Sequence, residues 1–215
     1  MGLLTIAATA LALGNVALGS PIENRAVAAK VCDAVTTICY SEWVSPEKIA
    51  YRLAIPDTAT AGNFDVLLQI VAPKAVGWAG LAWGGVMTNN PLLVAWPNGA
   101  NAAVATSRRA SSRTYPAVAT DVTYTVLPGS GANATHWTLN ALAKGASSFG
   151  TTKLDPASTS VSFAYAQAAG APSTPADPAS RFAIHQSRGK FTHDLAAAKI
   201  ANFAAAVEKL SKPAA

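Results

Sequence analysis

Between Ile38 and Gln167 the chain alternates short apolar runs with clusters of turn-forming residues, the pattern of an antiparallel β-sandwich. The runs predict strands over Ile38–Val44, Ile49–Ile55, Phe64–Val71, Val76–Trp83, Leu92–Trp96, Ala102–Ser107, Val122–Leu127, His136–Ala141 and Val161–Gln167. Pro46, Pro56-Asp57, Gly62-Asn63, Pro73, Gly84-Gly85, Pro97-Asn98-Gly99, Pro128-Gly129 and Asp155-Pro156 separate them, each with a local reason to turn the backbone. Tyr51-Arg52-Leu53 and Val122-Thr123-Tyr124-Thr125-Val126 alternate apolar and polar, so these runs show one face to a core and one to solvent. Pro21 to Lys30 reads as a loose lead-in, and the Pro-, Ala- and Ser-rich Ala168 to Ser180 as a surface loop. Beyond Asp194, a suitable N-cap, Leu195 to Leu210 has helical composition, with Ile200, Phe203, Ala204, Val207 and Leu210 recurring on one face and Lys209 and Lys212 near the C-terminal end. The fold expected is all-β, an antiparallel sandwich with a C-terminal helix over one end.

With 215 residues and 51% hydrophobic content, the chain suits one well-buried domain, residues 21–215 with a core over about 31–210, better than two. The first twenty residues, Met1 to Ser20, carry no charge, and Leu3 to Leu18 forms an apolar run ending in Ala17-Leu18-Gly19, as in a signal peptide. An N-terminal membrane anchor is the other reading of that run. No other segment is apolar enough to span a bilayer, so the expectation is a secreted, extracellular monomer that leaves the membrane on leader cleavage. Cys32 and Cys39 are expected to be oxidised in that setting, closing a loop worth only about 2.5 kcal/mol by chain entropy. Their spacing does not fit a zinc site. The sequon Asn133-Ala134-Thr135 marks Asn133 as a glycosylation candidate. The net charge of +5 is spread along the chain apart from Arg108, Arg109 and Arg113, which excludes a nucleic-acid partner and leaves an acidic protein or an anionic cofactor for that cluster.

Trp83-Gly-Gly-Val-Met-Thr-Asn-Asn-Pro-Leu-Leu-Val-Ala-Trp96 carries the one methionine besides Met1, placed between glycines and a polar turn and outside any apolar stripe. A thioether there is a candidate metal ligand, and its counterpart is His185 in Phe182-Ala-Ile-His-Gln-Ser-Arg-Gly189. Iron porphyrin held by one thioether and one imidazole is a recurrent electron-transfer centre, and with no Cys-x-x-Cys-His present such a haem would be b-type. Residue identity alone does not separate this pair from a core thioether and a hydrogen-bonded loop histidine.

The surrounding motifs do. Gly-Gly-x-Met87 followed by Leu-Leu-Val-Ala-Trp96-Pro-Asn-Gly99, then Phe182-Ala-Ile-His185 through Asp194-Leu-Ala-Ala-Ala, resembles the cytochrome domain of fungal cellobiose dehydrogenase and its stand-alone secreted relatives over roughly Val31 to Phe203. The resemblance implies an immunoglobulin-like β-sandwich holding haem b at one end. Met87 and His185 would be the axial ligands, with His136 and His193 outside the motif. Two departures are visible. Where the family's pattern often has a Cys-x-x-Cys pair followed by Trp, this chain reads Ala143-Lys-Gly-Ala146 and then Phe149, so a second disulfide is absent, and the tyrosine beside a haem propionate falls on Arg113 or Tyr115.

The resemblance also implies partners. Electrons would come from a separate flavin dehydrogenase or a small reductant, and go to a copper polysaccharide monooxygenase, ferric ions or quinones. Three other readings compete: a blue-copper protein, which needs two His and a free Cys; a copper monooxygenase, which needs a His near the mature N-terminus; and a haem-free sandwich binding sugars or other small ligands. No Gly-x-Gly-x-x-Gly follows a strand and opens a helix, so the flavin chemistry itself is not in this chain.

Overall fold

The computed structural model describes residues 29–34 and 36–212. The leader Met1–Ser20 and residues 21–28 of the lead-in lie outside the described residues. The elements are β1 (Ala29–Cys32), β2 (Cys39–Val44), β3 (Ala50–Pro56), β4 (Val66–Pro73), β5 (Trp78–Trp83), β6 (Leu92–Pro97), β7 (Ala103–Arg109), β8 (Ala117–Val118), β9 (Thr123–Val126), β10 (Gly131–Ala132), β11 (His136–Lys144), β12 (Ser148–Phe149), β13 (Thr152–Lys153), β14 (Val161–Ala168), β15 (Ser187–His193), β16 (Lys199–Ile200) and α1 (Phe203–Ser211).

Two sheets carry the fold. The first runs β1-β2-β3-β4-β11-β10, with β9 also on β11 and β16 on β3; the second runs β15-β14-β5-β6-β7-β8. Their inward faces share one core that includes Tyr51, Leu53, Leu68, Ile70, Trp137 and Leu139 from the first sheet and Leu81, Trp83, Leu93, Phe163 and Phe191 from the second. Each such side chain, fully buried, contributes about 1.5–3 kcal/mol of transfer free energy. Polar bonds tie the layers where the rings carry a donor: Tyr51 Oη donates to Gly80 O at 3.2 Å, and Trp137 Nε1 to Val76 O at 2.7 Å. Cys32 and Cys39 sit directly opposite one another in the β1–β2 ladder and form the expected disulfide.

All nine predicted strands are present. Seven further strands are not visible in the apolar pattern: β1, β15 and the two-residue β8, β10, β12, β13 and β16. β15 reads Ser-Arg-Gly-Lys-Phe-Thr-His, with Phe191 its only strongly apolar inward residue; it is an edge strand whose place is fixed by pairing with β14. The predicted sixteen-residue helix is corrected to the nine residues of α1. Asp194 caps only a turn, accepting from Ala197 N at 2.8 Å, because Leu195 and Ala198 are drawn into the main core and Ala198 O accepts from Ile55 N. Lys199–Ile200 then pairs in parallel with β3, which delays the helix until Phe203. The helix covers a face of the sandwich and not an end: Leu210, Val207, Ala206 and Phe203 pack on Tyr40, Ala54, Leu67 and Leu142 of the first sheet. Ala204, assigned to the apolar stripe by periodicity, is exposed.

His193 is fully buried in this framework, edge-on to Phe163 and Phe191. Its Nε2 lies 2.9 Å from Ser41 O, which can only accept, so Nε2 carries the proton and Nδ1 is left without a partner. Burial pushes its pKa down to about 4, against smaller opposing effects of the Ser41 carbonyl and Asp194. Below the unfolded value near 6.5 the unfolded chain takes up a proton that the folded chain refuses, so stability falls as pH drops from 6.5 toward 4. The expected loss is on the order of 3 kcal/mol. Denaturant melts at pH 7 and pH 4.5 should show it, and His193→Leu should flatten the difference; an unchanged slope in that variant would contradict the assignment.

Candidate functional site

Alternation along the strands gives the second sheet an outward face unlike the rest of the surface. β5 sends Ala79, Leu81 and Trp83 into the core, leaving Trp78, Gly80 and Ala82 on the outside; β6 likewise presents Leu92, Val94 and Trp96 outward. On β14, Phe163 and Tyr165 face inward, and Ala164, Ala166 and Ala168 outward. The registers pair Ala82 with Ala164 and Gly80 with Ala166, so four small residues form a strip bordered by Leu92 and Val94 on one side and Lys190 and Arg188 on the other. A Cβ at Gly80 would stand 3.3 Å from both Leu93 O and the Trp78 ring, so the floor is closed to a larger side chain.

Met87 stands at one end of this strip. Past Trp83 the chain turns through Gly84 and Gly85, with φ of +88° and +82°, values that only glycine adopts cheaply. Gly85 packs so closely on Ser162, outward-facing on β14, that a Cβ would lie 3.0 Å from its side chain, and the turn therefore leans over the outward face. Asn90 Nδ2 donates to Val86 O at 3.1 Å, and Asn89 N to Ala110 O at 2.7 Å, closing the loop on both flanks of a half-buried Met87.

His185 stands at the other end, two residues before β15. Gln186 N donates to Gln167 O, and Gln186 Oε1 accepts from Ala169 N at 2.8 Å. Ser187 Oγ donates to Glu47 Oε1, from the β2–β3 turn of the opposite sheet. Burial alone would push the Glu47 carboxyl up, but the Ser187 hydroxyl, its own backbone amide and the Ser45 and Tyr165 hydroxyls together hold it below its usual range. The loop before His185 crosses the outward face: Trp96 Nε1 donates to Pro175 O at 2.7 Å, and Phe182 packs on Trp78 with ring centroids 4.9 Å apart.

The basic cluster read from the sequence does not stay together. Arg108, 1% exposed, turns under the loop, where Nη2 donates to Pro178 O at 2.7 Å and Ser180 O at 3.0 Å and the guanidinium lies 5.4 Å from the Phe182 ring centroid. Desolvation lowers its pKa without discharging it. Arg109 pairs with Asp121 at 3.2 Å, and only Arg113 projects freely into solvent. Tyr115 joins the histidine loop: its hydroxyl accepts from Phe182 N at 3.2 Å and lies 3.4 Å from Ser180 O, and its ring stands 5.1 Å from that of Phe182. The sequence gives no hint of the roles of Arg108 and Glu47, since their partners are distant carbonyls and a serine 140 residues away. The strip of small residues was open to detection as the alternation Trp78-x-Gly80-x-Ala82 against Ala164-x-Ala166.

The other histidines have different surroundings. His136 opens β11 in the first sheet, bonded to Thr135 Oγ1 at 2.9 Å, and His193 is enclosed in the core. Among the described residues no group of three or more His, Cys, Asp or Glu could hold a metal, which is the donor set a blue-copper centre needs. Two clefts, of about 340 Å³ beside Phe64 and Ser147 and about 440 Å³ between α1 and Cys39, lie away from the strip. No helix among the described residues is long and apolar enough to cross a membrane.

This architecture is an immunoglobulin-like antiparallel β-sandwich with one short C-terminal helix, and its second sheet presents outward a floor of small residues with the Met87 loop at one end and the His185 loop at the other. The family model for the cytochrome domain of cellobiose dehydrogenase matches residues 31–205, and the chain belongs to that family. It is 33% identical over 132 residues to a pyrroloquinoline quinone-dependent pyranose dehydrogenase of Coprinopsis cinerea, a match covering 58% of this chain and 17% of that protein's length. In fold it is similar to the crystal structure of the cytochrome b domain of pyranose dehydrogenase from the same species, with a TM-score of 0.77 at 21% identity over 86% of this chain and 97% of the other. The cytochrome domain of Myriococcum thermophilum cellobiose dehydrogenase gives a TM-score of 0.75 at 24% identity, over 88% and 99% of the two chains.

Proposed function

We propose that this chain binds one haem b non-covalently against the Gly80, Ala82, Ala164 and Ala166 strip, with Met87 and His185 as axial ligands, and relays single electrons between extracellular redox partners. The observation that carries the reading is the strip itself: small residues leave room for a flat apolar ring, and loops bearing the two neutral donors stand at its opposite ends. The donors suit the group, since a thioether favours Fe(II) and a neutral imidazole serves both oxidation states. Bound there, haem would supply a one-electron couple with both axial positions filled. The protein's own residues do the rest: Gln186 and the Glu47–Ser187 pair hold the His185 segment, and Arg108 braces the loop in front of it. Tyr115, bonded into that loop, and Arg113, free beside it, are the residues for a propionate.

On this reading the chain is a carrier and not an enzyme with a substrate pocket. Its electrons come from a dehydrogenase or a small reductant and go to a copper polysaccharide monooxygenase, ferric ions or quinones. Secretion as a monomer, with glycosylation at the exposed Asn133, belongs to the same reading. Acid–acetone extraction of protein produced with ample haem should strip the colour into the organic phase. Colour that stays with the polypeptide would contradict non-covalent binding.

A further inference from the structure

The net charge of the chain is not evenly placed. Segments 78–118 and 161–193, which build the second sheet and its outward loops, hold six of the 16 Lys and Arg (Arg108, Arg109, Arg113, Arg181, Arg188 and Lys190) but one of the 11 Asp and Glu, Asp177. The ten cations and ten acids left over cancel, so the whole +5 belongs to the sheet that carries Met87 and His185. Arg108 is buried and Arg109 is paired, while Arg113, Arg181, Arg188 and Lys190 are exposed and in no ion pair among the described residues. Arg188 and Lys190 lie on the edge strand β15, beside Ala166 and Ala164. Arg181 stacks 4.8 Å from the Tyr115 ring centroid toward the opposite, β7–β8 edge, and Arg113 is two residues from that ring. Cations therefore flank the strip on both sides. At its two ends, next to the candidate ligands, stand exposed apolar side chains, Val86 at 40% and Ile184 at 84% of full exposure.

We propose that this face is a docking surface for an acidic redox protein, with Ile184 and Val86 as dry contacts beside the ligand-bearing loops and Arg113, Arg181, Arg188 and Lys190 as the rim that steers and orients the partner. It rests on the electron-relay reading and names the partner's chemistry. Exposed apolar contacts bordered by charged residues match the anatomy of a transient protein interface. A rim of one sign raises the encounter rate with an oppositely charged partner, an effect lost as the Debye length shortens from about 10 Å at 0.1 M to about 3 Å at 1 M salt. The cations border an apolar centre and do not form a row, which fits a compact protein patch better than a polyuronate chain. In each encounter one electron leaves the reduced carrier and the partner's metal accepts it, Cu(II) becoming Cu(I) in a copper partner, with no atom or proton transferred.

The test uses the reduced full-length protein, with an acidic blue-copper protein, a basic c-type cytochrome and a neutral quinone as acceptors in stopped flow. The blue-copper rate constant should fall at least tenfold between 0.01 M and 0.5 M salt. The triple variant R181E/R188E/K190E should lower its low-salt value at least tenfold, while K30E/K74E/K144E and the neutral quinone rate stay within about twofold. Ile184→Ser should weaken binding without changing the salt slope. Calorimetric Kd values for the zinc-substituted, redox-silent form of the blue-copper protein should follow the same order, which judges docking separately from electron transfer. Equal effects of the two charge-reversal sets, or a preference for the basic cytochrome, would overturn the proposal. So would retention on polygalacturonate that the R181E/R188E/K190E variant loses while its blue-copper rate is unchanged. Failure to reduce the quinone, with the calorimetric order intact, would count against the relay reading alone.

Discussion

Replacing Met87, the proposed thioether ligand, with His should keep the iron of a bound haem six-coordinate and low-spin but lower its midpoint potential on the order of 0.1–0.3 V, inside the ~0.8 V range that axial ligands command. The sign follows from donor chemistry, because a second imidazole stabilises Fe(III) relative to a thioether. The turn should tolerate the change, since Gly84, Gly85 and Asn90, and not the Met87 side chain, set its backbone. His185→Ala should have the larger effect, opening a coordination position or losing the cofactor. Neither variant should unfold the chain, because both side chains lie outside the shared core. A redox titration and an imidazole-rescue spectrum read the two outcomes. Equal spectral loss in His136→Ala, whose ring is bonded to Thr135 at the start of β11, would move the ligand elsewhere.

Ala164→Phe should give a folded but colourless protein. Ala164 faces outward between Ala82 and Lys190, so a phenyl ring there enters the strip without touching the inward core. The thermal midpoint of the haem-free protein should move by only a few degrees, the effect of about 1 kcal/mol at a surface position. Cofactor content should fall by at least tenfold. Full haem occupancy in this variant would show that the small-residue strip is not the binding floor.

Much of this was legible in the sequence, and the misses have physical reasons. Runs such as Val66–Pro73 and Leu92–Pro97 are apolar enough to announce buried strands by themselves. β15 is not, because an edge strand with Phe191 as its main inward anchor carries little hydrophobic signal, and its pairing with β14 is a long-range event. The expected helix is too long because Leu195 to Leu210 has helical composition throughout and Ile200 falls in period with Phe203 and Val207, yet Leu195 and Ala198 are buried in the main core and Ile200 pairs in parallel with β3. In the candidate site, motif and glycine context single out Met87 and His185, whose role as ligands is the proposal that the spectra and variants above test. The three arginines were grouped by adjacency, which strand alternation undoes: Arg108 turns under the loop while Arg109 turns to Asp121. Glu47 was invisible, since its meaning comes from Ser187 across the sandwich.

A reduced-minus-oxidised absorbance spectrum of the purified protein, after expression with ample haem, tests the central claim most directly. A thioether–imidazole haem b predicts an intense Soret band with sharp, resolved α and β bands on reduction, and no change of the reduced spectrum under carbon monoxide, because both axial positions are filled. A protein that folds with the same secondary structure yet shows no Soret band, or a reduced form that binds carbon monoxide at once, would contradict it.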